Sequence, residues 1–231
     1  MKKFFVLVAV IAVAAFAAFD FTRPADAGVT STIPFDKKSL KDAESGIYNF
    51  DKAHSFIGFK VKHMGLIDVP GYFRDFTGTV NYDAADVSKS TVEFTAKATS
   101  VDTGVAGRDN HLRSADFFEV EKFPDITLKS TKVAKRGDGL QITGDFTMKG
   151  VTKSITFDFD LTGFVKDQRG TGKIGISADT KLNRRDYGVN YGGNMPNGTP
   201  TLSDIVEIDL QIEVNKPGPP RPAANTNART N

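Results

Sequence analysis

From residue 47 to residue 214, apolar and polar side chains alternate with a period of two in run after run, and a helical period interrupts them once. Alternation sustained over that length confines the chain to β-sheet whose strands each have one apolar and one wet face. In residues 55–63, Ile57, Phe59, Val61 and His63 oppose Gly58, Lys60 and Lys62. In residues 91–99, Val92, Phe94, Ala96 and Ala98 oppose Glu93, Thr95 and Lys97. Residues 151–164 repeat the pattern through Ile155, Phe157, Phe159 and Leu161, residues 173–183 through Ile174, Ile176, Ala178 and Leu182, and residues 205–214 through Val206, Ile208, Leu210, Ile212 and Val214. The reading gives about eight strands joined mostly by short turns, the signature of antiparallel strands with one solvated face. A closed up-and-down barrel and a sandwich both satisfy it. The length of the strands and the removal of edges on closure favour the barrel.

The interruption is GRDNHLRSADFFEVEKFP, residues 107–124. Leu112, Ala115 and Phe118 recur at three-residue steps, which predicts a short helix, and Phe123 before Pro124 ends it because a residue preceding proline is pushed out of the α region. A short helix between two runs of strands either plugs an end of the barrel or covers an edge. Elsewhere, residues 64–71 (MGLIDVPG) read as an apolar loop that either folds over the barrel end or lines an entrance or touches a membrane, and residues 72–82 as one strand with Tyr72, Phe76, Val80 and Tyr82 in phase. Asp138-Gly139 marks a hairpin turn, and residues 184–200 form a long Gly- and Asn-rich loop.

The ends of the chain read differently. Met1-Lys2-Lys3, the uncharged run of residues 4–19 and Ala25-Asp26-Ala27 make a cleaved secretory signal peptide over residues 1–27, with a periplasmic mature protein starting at Gly28. Residues 28–45 read as a polar extended arm, residues 46–215 as the barrel, and residues 216–231 as a disordered Pro- and Asn-rich tail. Without cysteine, an exported chain rests on its core alone and has neither thiolate nucleophiles nor Cys-based metal sites. Lys and Arg number 30 against 28 Asp and Glu, but the excess lies in the leader and tail, so the barrel is near neutral. That speaks against a nucleic-acid partner, which calls for a basic face.

Alternation does not tell inside from outside. An outer-membrane barrel would be apolar outward, but no aromatic girdles are evident, and Lys-rich acidic faces are poor linings for a lumen this small. With the apolar faces inward, the 19 phenylalanines and the absence of tryptophan become informative. Phe59, Phe76, Phe94, Phe146, Phe157 and Phe159 share inward faces with Gly78, Ala96, Ala98, Gly144 and Ala178. Large beside small builds either an interlocked core or an apolar tunnel, since eight strands suffice to hold one small ligand.

Catalytic signals are thin. His54, His63 and His111 share no metal-ligand spacing, and His54 beside Ser55 lacks a nucleophile elbow. No catalytic or metal residue is assigned. Arg108, Asp109, His111 and Arg113 form one polar cluster, and Arg184, Arg185, Asp186 and Tyr187 a second. Each serves either as internal pairing, with Asp109 complementing a helix N-terminus, or as a rim that grips an anionic or carbonyl head group.

Four stretches carry a family resemblance: YNFDKAHSFIGFKVKH (48–63), the 107–124 segment with its RDNHLRSADFF, LQITGDFTMKGVT (140–152) and NRRDYGV (183–189). Together they resemble the YceI family of exported bacterial proteins, over roughly residues 45–214. The resemblance implies an extended eight-stranded, lipocalin-like antiparallel barrel that binds a polyisoprenoid, such as a polyprenyl phosphate or quinone-type lipid, and has no established catalytic activity. Its tunnel would be lined by Phe59, Val61, Phe76, Phe94, Ala96, Phe146, Phe157, Phe159 and Ile176. Arg108, Asp109, His111, Arg113, Arg184, Arg185 and Tyr187 are the candidates for the head group. The implied protein is no enzyme and needs no cofactor beyond the bound isoprenoid lipid; transient membrane contact and homodimerisation fit it, as does a carrier, buffer or stress-related scavenger role. Two other readings stand beside it: an envelope module acting through protein contacts of arm and tail, and an enzyme with His111 as acid–base.

Overall fold

The computed structural model describes residues 37–217. The predicted signal peptide, the first half of the arm and all but the first residues of the tail lie outside them. The alternating segments form eleven strand segments: β1 (Gly46–Phe50), β2 (Phe56–His63), β3 (Ile67–Phe73), β4 (Phe76–Tyr82), β5 (Thr91–Lys97), β6 (Val101–Asp102), β7 (Asp125–Arg136), β8 (Gly139–Met148), β9 (Val151–Lys166), β10 (Gly172–Asn183) and β11 (Leu202–Asn215). They occupy eight positions in the wall. β1 and β2 both run antiparallel to β11, and they pair on their other side with β4 and β3 respectively. β5 and β6 likewise pair with β4 and β3. Each of these three couples is one wall strand broken in the middle. From β5 the wall continues through β7, β8, β9 and β10 to β11 as an antiparallel meander, and the β11 pairing with β1 and β2 closes the barrel.

The three breaks are tied to one another. Lys52 reaches Asp75 at 2.5 Å, the Asp75 carbonyl accepts from the Lys97 N–H at 2.8 Å, and the Ser100 carbonyl accepts from the Arg74 N–H at 3.1 Å. Each break also reverses the side-chain phase. Tyr48 and Phe50 point inward at even positions and Ile57, Phe59 and Val61 at odd ones; Phe73 is inward in β3 and Phe76 in β4. Residues 64–71 therefore are not a loop. Met64 and Gly65, both at positive φ, make a tight turn, and β3 starts at Ile67. Pro70 is tolerated because β6 covers only Tyr72 and Phe73, leaving the rest of that edge without a ladder. Tyr72 lies on the outside, with Arg74 4.6 Å above its ring.

The helix α1 is Ala106–Arg113. Ala115 and Phe118 fall beyond it, in a series of turns where Glu119 adopts a positive φ. The whole segment lies across one barrel end, here called the mouth end, where Phe117, Val120, Ile126, Met148, Tyr187 and Val189 form one buried cluster. At the opposite base, Tyr48, Tyr82, Phe164, Ile174 and Val214 form another. Residues 37–42 form a 3-10 turn rather than an extended arm; Leu40 packs on the base core, and Ser39 Oγ accepts from the Phe164 N–H at 2.8 Å. Lys216 belongs to the barrel as well, pairing with Glu44 at 2.8 Å.

Candidate functional site

Between the two buried clusters lies a cavity of about 880 Å³. Its wall is apolar over most of its length. Phe59 and Val61 of β2, Phe94 and Ala96 of β5, Phe146 of β8, Phe157 and Phe159 of β9 and Ile176 of β10 all line it. Phe76 does not: it is buried in the base cluster beneath the cavity. The wall also takes in Phe50, Phe73, Leu182 and Leu210 from strands, and Leu112, Phe117, Phe118 and Tyr191 from the mouth. The phase of Phe50 with Tyr48 was a usable signal for the first of these. No period exists in the 184–200 loop to flag Tyr191.

Among the small inward residues, Ala96 and Ala178 line the cavity, whereas the glycines act indirectly. Gly71 is the register partner of Phe59, and a Cβ there would overlap that ring. A Cβ on Gly78 would come 2.7 Å from the ring of Phe50. These glycines let rings lie flat against the opposite strand, which leaves the centre of the barrel open.

Polar groups concentrate at the mouth, where Ile67, Thr103, Arg108, His111, Tyr191 and Gly192 line the cavity's end. Arg108 donates from Nε to Thr103 Oγ1 at 2.7 Å and from Nη2 to the Thr103 carbonyl at 2.8 Å. It forms no ion pair among the described residues. Asp109 faces away from the cavity: buried, it accepts from both the N–H (2.9 Å) and the hydroxyl (2.5 Å) of Thr103, so it fixes the residue that fixes Arg108. Arg113 also turns away, donating to the carbonyls of Thr99 (2.7 Å) and Val101 (2.8 Å) and anchoring α1 to the break after β5. His111 binds Asp116 at 2.7 Å and packs edge-on against Tyr191, 4.6 Å between centroids, and Phe117.

The second cluster divides in the same way. Arg184 reaches the cavity wall but is 4% exposed, and it donates to the carbonyls of Ser203, Val189 and Tyr191 at 2.7–2.9 Å. Burial, then the neighbouring Arg185, pulls its pKa below the ordinary value. Arg185 is exposed and held by Asp204 at 2.5 Å, outside the cavity. Tyr187 is buried against Phe146, off the wall, and burial raises its phenol pKa. Asp109, Arg113, Arg185 and Tyr187 thus build the mouth rather than face into it.

The histidine–serine pair has no catalytic geometry. His54 Nδ1 meets Asp51 at 3.0 Å, but Ser55 Oγ donates to the Glu213 carbonyl and accepts the Glu213 N–H at 2.9 Å, stitching the β1–β2 break to β11. Asp51, His54 and Glu213 bring ligand-type atoms within 4.8 Å of one another. The Lys173 ammonium, 2.5 Å from Glu213 and 3.9 Å from Asp51, already supplies the positive charge there. Burial pushes the Asp51 carboxyl up, but bonds from His54, Asn215 and the Ala53 N–H outweigh it and hold the group at about 2.

A closed antiparallel barrel of eight wall positions, with an apolar interior cavity and a polar mouth, places this molecule among the lipocalin-like barrels. The YceI-like domain model matches residues 48–214, so the chain belongs to the YceI-like family. Protein YceI of Salmonella paratyphi B is 42% identical over 168 residues, covering 72% of this chain and 85% of that one. The crystal structure of Campylobacter jejuni YCEI protein is 34% identical, with a TM-score of 0.58 over 73% of this chain and 96% of that one. A polyisoprenoid binding domain from Saccharophagus degradans shares the fold at 15% identity, with a TM-score of 0.56 over 75% of this chain and all of that one.

Proposed function

We propose that the chain is an exported, non-catalytic binding protein that holds an isoprenoid-type lipid in its barrel. The observation that carries this reading is the cavity itself: about 880 Å³, apolar through its depth and polar at its mouth. That size is near the top of the range for ligand pockets, about 300–1,000 Å³. A linear hydrocarbon fits such a distribution, with its chain against the phenylalanines and its head group at Arg108 and His111. Arg108 is suited to a phosphate because it is exposed, held in place by Thr103, and has no carboxylate partner among the described residues. Membership of the YceI-like family and the polyisoprenoid binding domain of the same fold support the ligand class. Carriage, buffering or scavenging in the periplasm follows from an exported protein of this kind. Leu66, 78% exposed at the β2–β3 tip, would bring the mouth to a membrane.

The test is native mass spectrometry of the protein purified from its own envelope, followed by solvent extraction. A discrete added mass that resolves into an isoprenoid is expected. Ala96→Trp fills the cavity from the wall of β5 and should abolish that mass with the fold retained. A bare protein that also refuses added polyprenyl lipids would overturn the reading and turn attention to protein partners.

A further inference from the structure

β9 changes partners halfway along. Residues 151–159 pair with β8 throughout, from Val151 opposite Met148 to Phe159 opposite Leu140. Its other edge joins β10 only lower down, between Lys166 opposite Gly172 and Asp160 opposite Ser177. Above that last pair, β10 residues 178–183 bond to β11 alone. The wall between β9 and β10 therefore has no ladder toward the mouth end, over six residues of β10, about 20 Å of strand. Lys153 meets Asp186 at 3.5 Å and closes the top of this gap.

One feature marks the gap as more than a loose seam. Cavity-lining side chains stand on both flanks: Ile155, Phe157 and Phe159 on β9, and Ala178, Thr180 and Leu182 on β10. Continuing the register past Ser177–Asp160 would set Asp179 opposite Asp158, on the face away from the cavity.

We infer that the isoprenoid chain enters and leaves through this side slot between β9 and β10, not by threading end-on through the mouth. The inference rests on the lipid-binding reading above. A long flexible chain that threads from one end must order itself link by link in a closed tube. A slot parallel to the strands admits it sideways, and parting the slot breaks no interstrand hydrogen bonds. The head group then stays at Arg108 while the chain swings in.

The chain has no cysteine, so a staple is unambiguous. Asp158→Cys with Asp179→Cys spans the slot on its outer face; a short bis-maleimide bridges the thiols if they do not oxidise. Glu93→Cys with Lys129→Cys, across an intact ladder pair, is the control. The readout is transfer of a dansyl-labelled polyprenol from phosphatidylcholine vesicles, with oligomeric state followed in parallel. Closing the slot should slow uptake and release at least tenfold, reversibly for the disulfide, while the control staple leaves the rate alone. Equal rates in stapled and open forms overturn side entry and leave lipid binding standing. A change of oligomeric state on stapling, with the rate untouched, reassigns the edges to strand pairing with a second copy and also overturns it. No uptake by the unmodified protein overturns the lipid-binding reading and this inference with it.

Discussion

Phe59 lies flat on the backbone of Gly71, its register partner across β2 and β3, and there is no room for a Cβ between them. The absence of one side chain on β3 thus sets the depth of the cavity at this level. Gly71→Ala forces Phe59 inward or parts the hairpin. Either costs about 1–3 kcal/mol, as overpacking does, and lowers the amount of lipid carried. Thermal melts and native mass spectrometry check both effects. Gly193→Ala, where an added Cβ meets nothing within 4 Å, should stay within about 0.5 kcal/mol of the parent.

Arg184 predicts a different kind of loss. Its guanidinium satisfies the carbonyls of Ser203, Val189 and Tyr191, and its Nη2 lies 3.4 Å from Asp204. Arg184→Leu strands those carbonyls in a buried site. A cost of about 1–3 kcal/mol for a buried carbonyl left without its donor is expected, measured by denaturant unfolding. Arg184→Lys should recover less than half, because an ammonium cannot span three carbonyls held in a planar fork.

Much of this was legible in the sequence, and the failures have one cause. Alternation reports which side chains share a face, so the inward phenylalanines of β2, β5, β8 and β9 were readable before any coordinates. It does not report a break that reverses the phase. Residues 72–82 read as one strand because Tyr72 and Phe76 are in step, yet the break at Arg74 and Asp75 puts Tyr72 outside and Phe76 inside. A register shift between Gly175 and Ile176 does the same in β9, where Leu161 pairs with Ile176 and Gly163 with Gly175, skipping Thr162, so Phe164 is buried although it is out of phase with Phe159. In the polar clusters, residue type was informative but direction was not. Arg108 and Arg113 both lie on α1, five residues apart, and one meets the cavity while the other anchors the helix. The slot was beyond reach, since it depends on which strand each half of β9 pairs with.

The ion pairs at the base predict a pH optimum for stability. Glu44, bonded to Lys166 and Lys216, is held at about 2, below its ordinary 4.5, and Asp51 is at about 2 against 3.8. A depressed carboxylate contributes fully above its unfolded value and loses that contribution as pH falls through the folded one. His54 moves the other way: Asp51 raises it above 6.5, so its contribution is complete below 6.5 and is lost as pH rises through the raised value. Melting temperature should therefore climb from about pH 2 to about 4.5, hold to about 6.5 and then decline. In His54→Ala the alkaline decline should flatten while the acid limb from Glu44 persists. A profile with an unchanged alkaline decline would remove His54 as its source.

The hairpin tip gives the last prediction. Leu66 is 78% exposed and Ile67 61% exposed, beside the mouth of an apolar cavity. Leu66 makes no wall of its own, so the barrel gains nothing evident from an apolar side chain there. Burying a leucine side chain in an apolar phase is worth about 1.5–3 kcal/mol, which is about one to two decades of binding. Leu66→Asp should lower partitioning to phosphatidylcholine vesicles at least tenfold in a flotation assay, with the melting temperature unchanged, and Leu66→Trp should restore or strengthen it. Lipid taken up from detergent micelles should be the same in all three proteins, because the cavity is intact. If Leu66→Asp floats as the parent does, the tip only shields the mouth, and lipid reaches the barrel without the membrane being touched at this point.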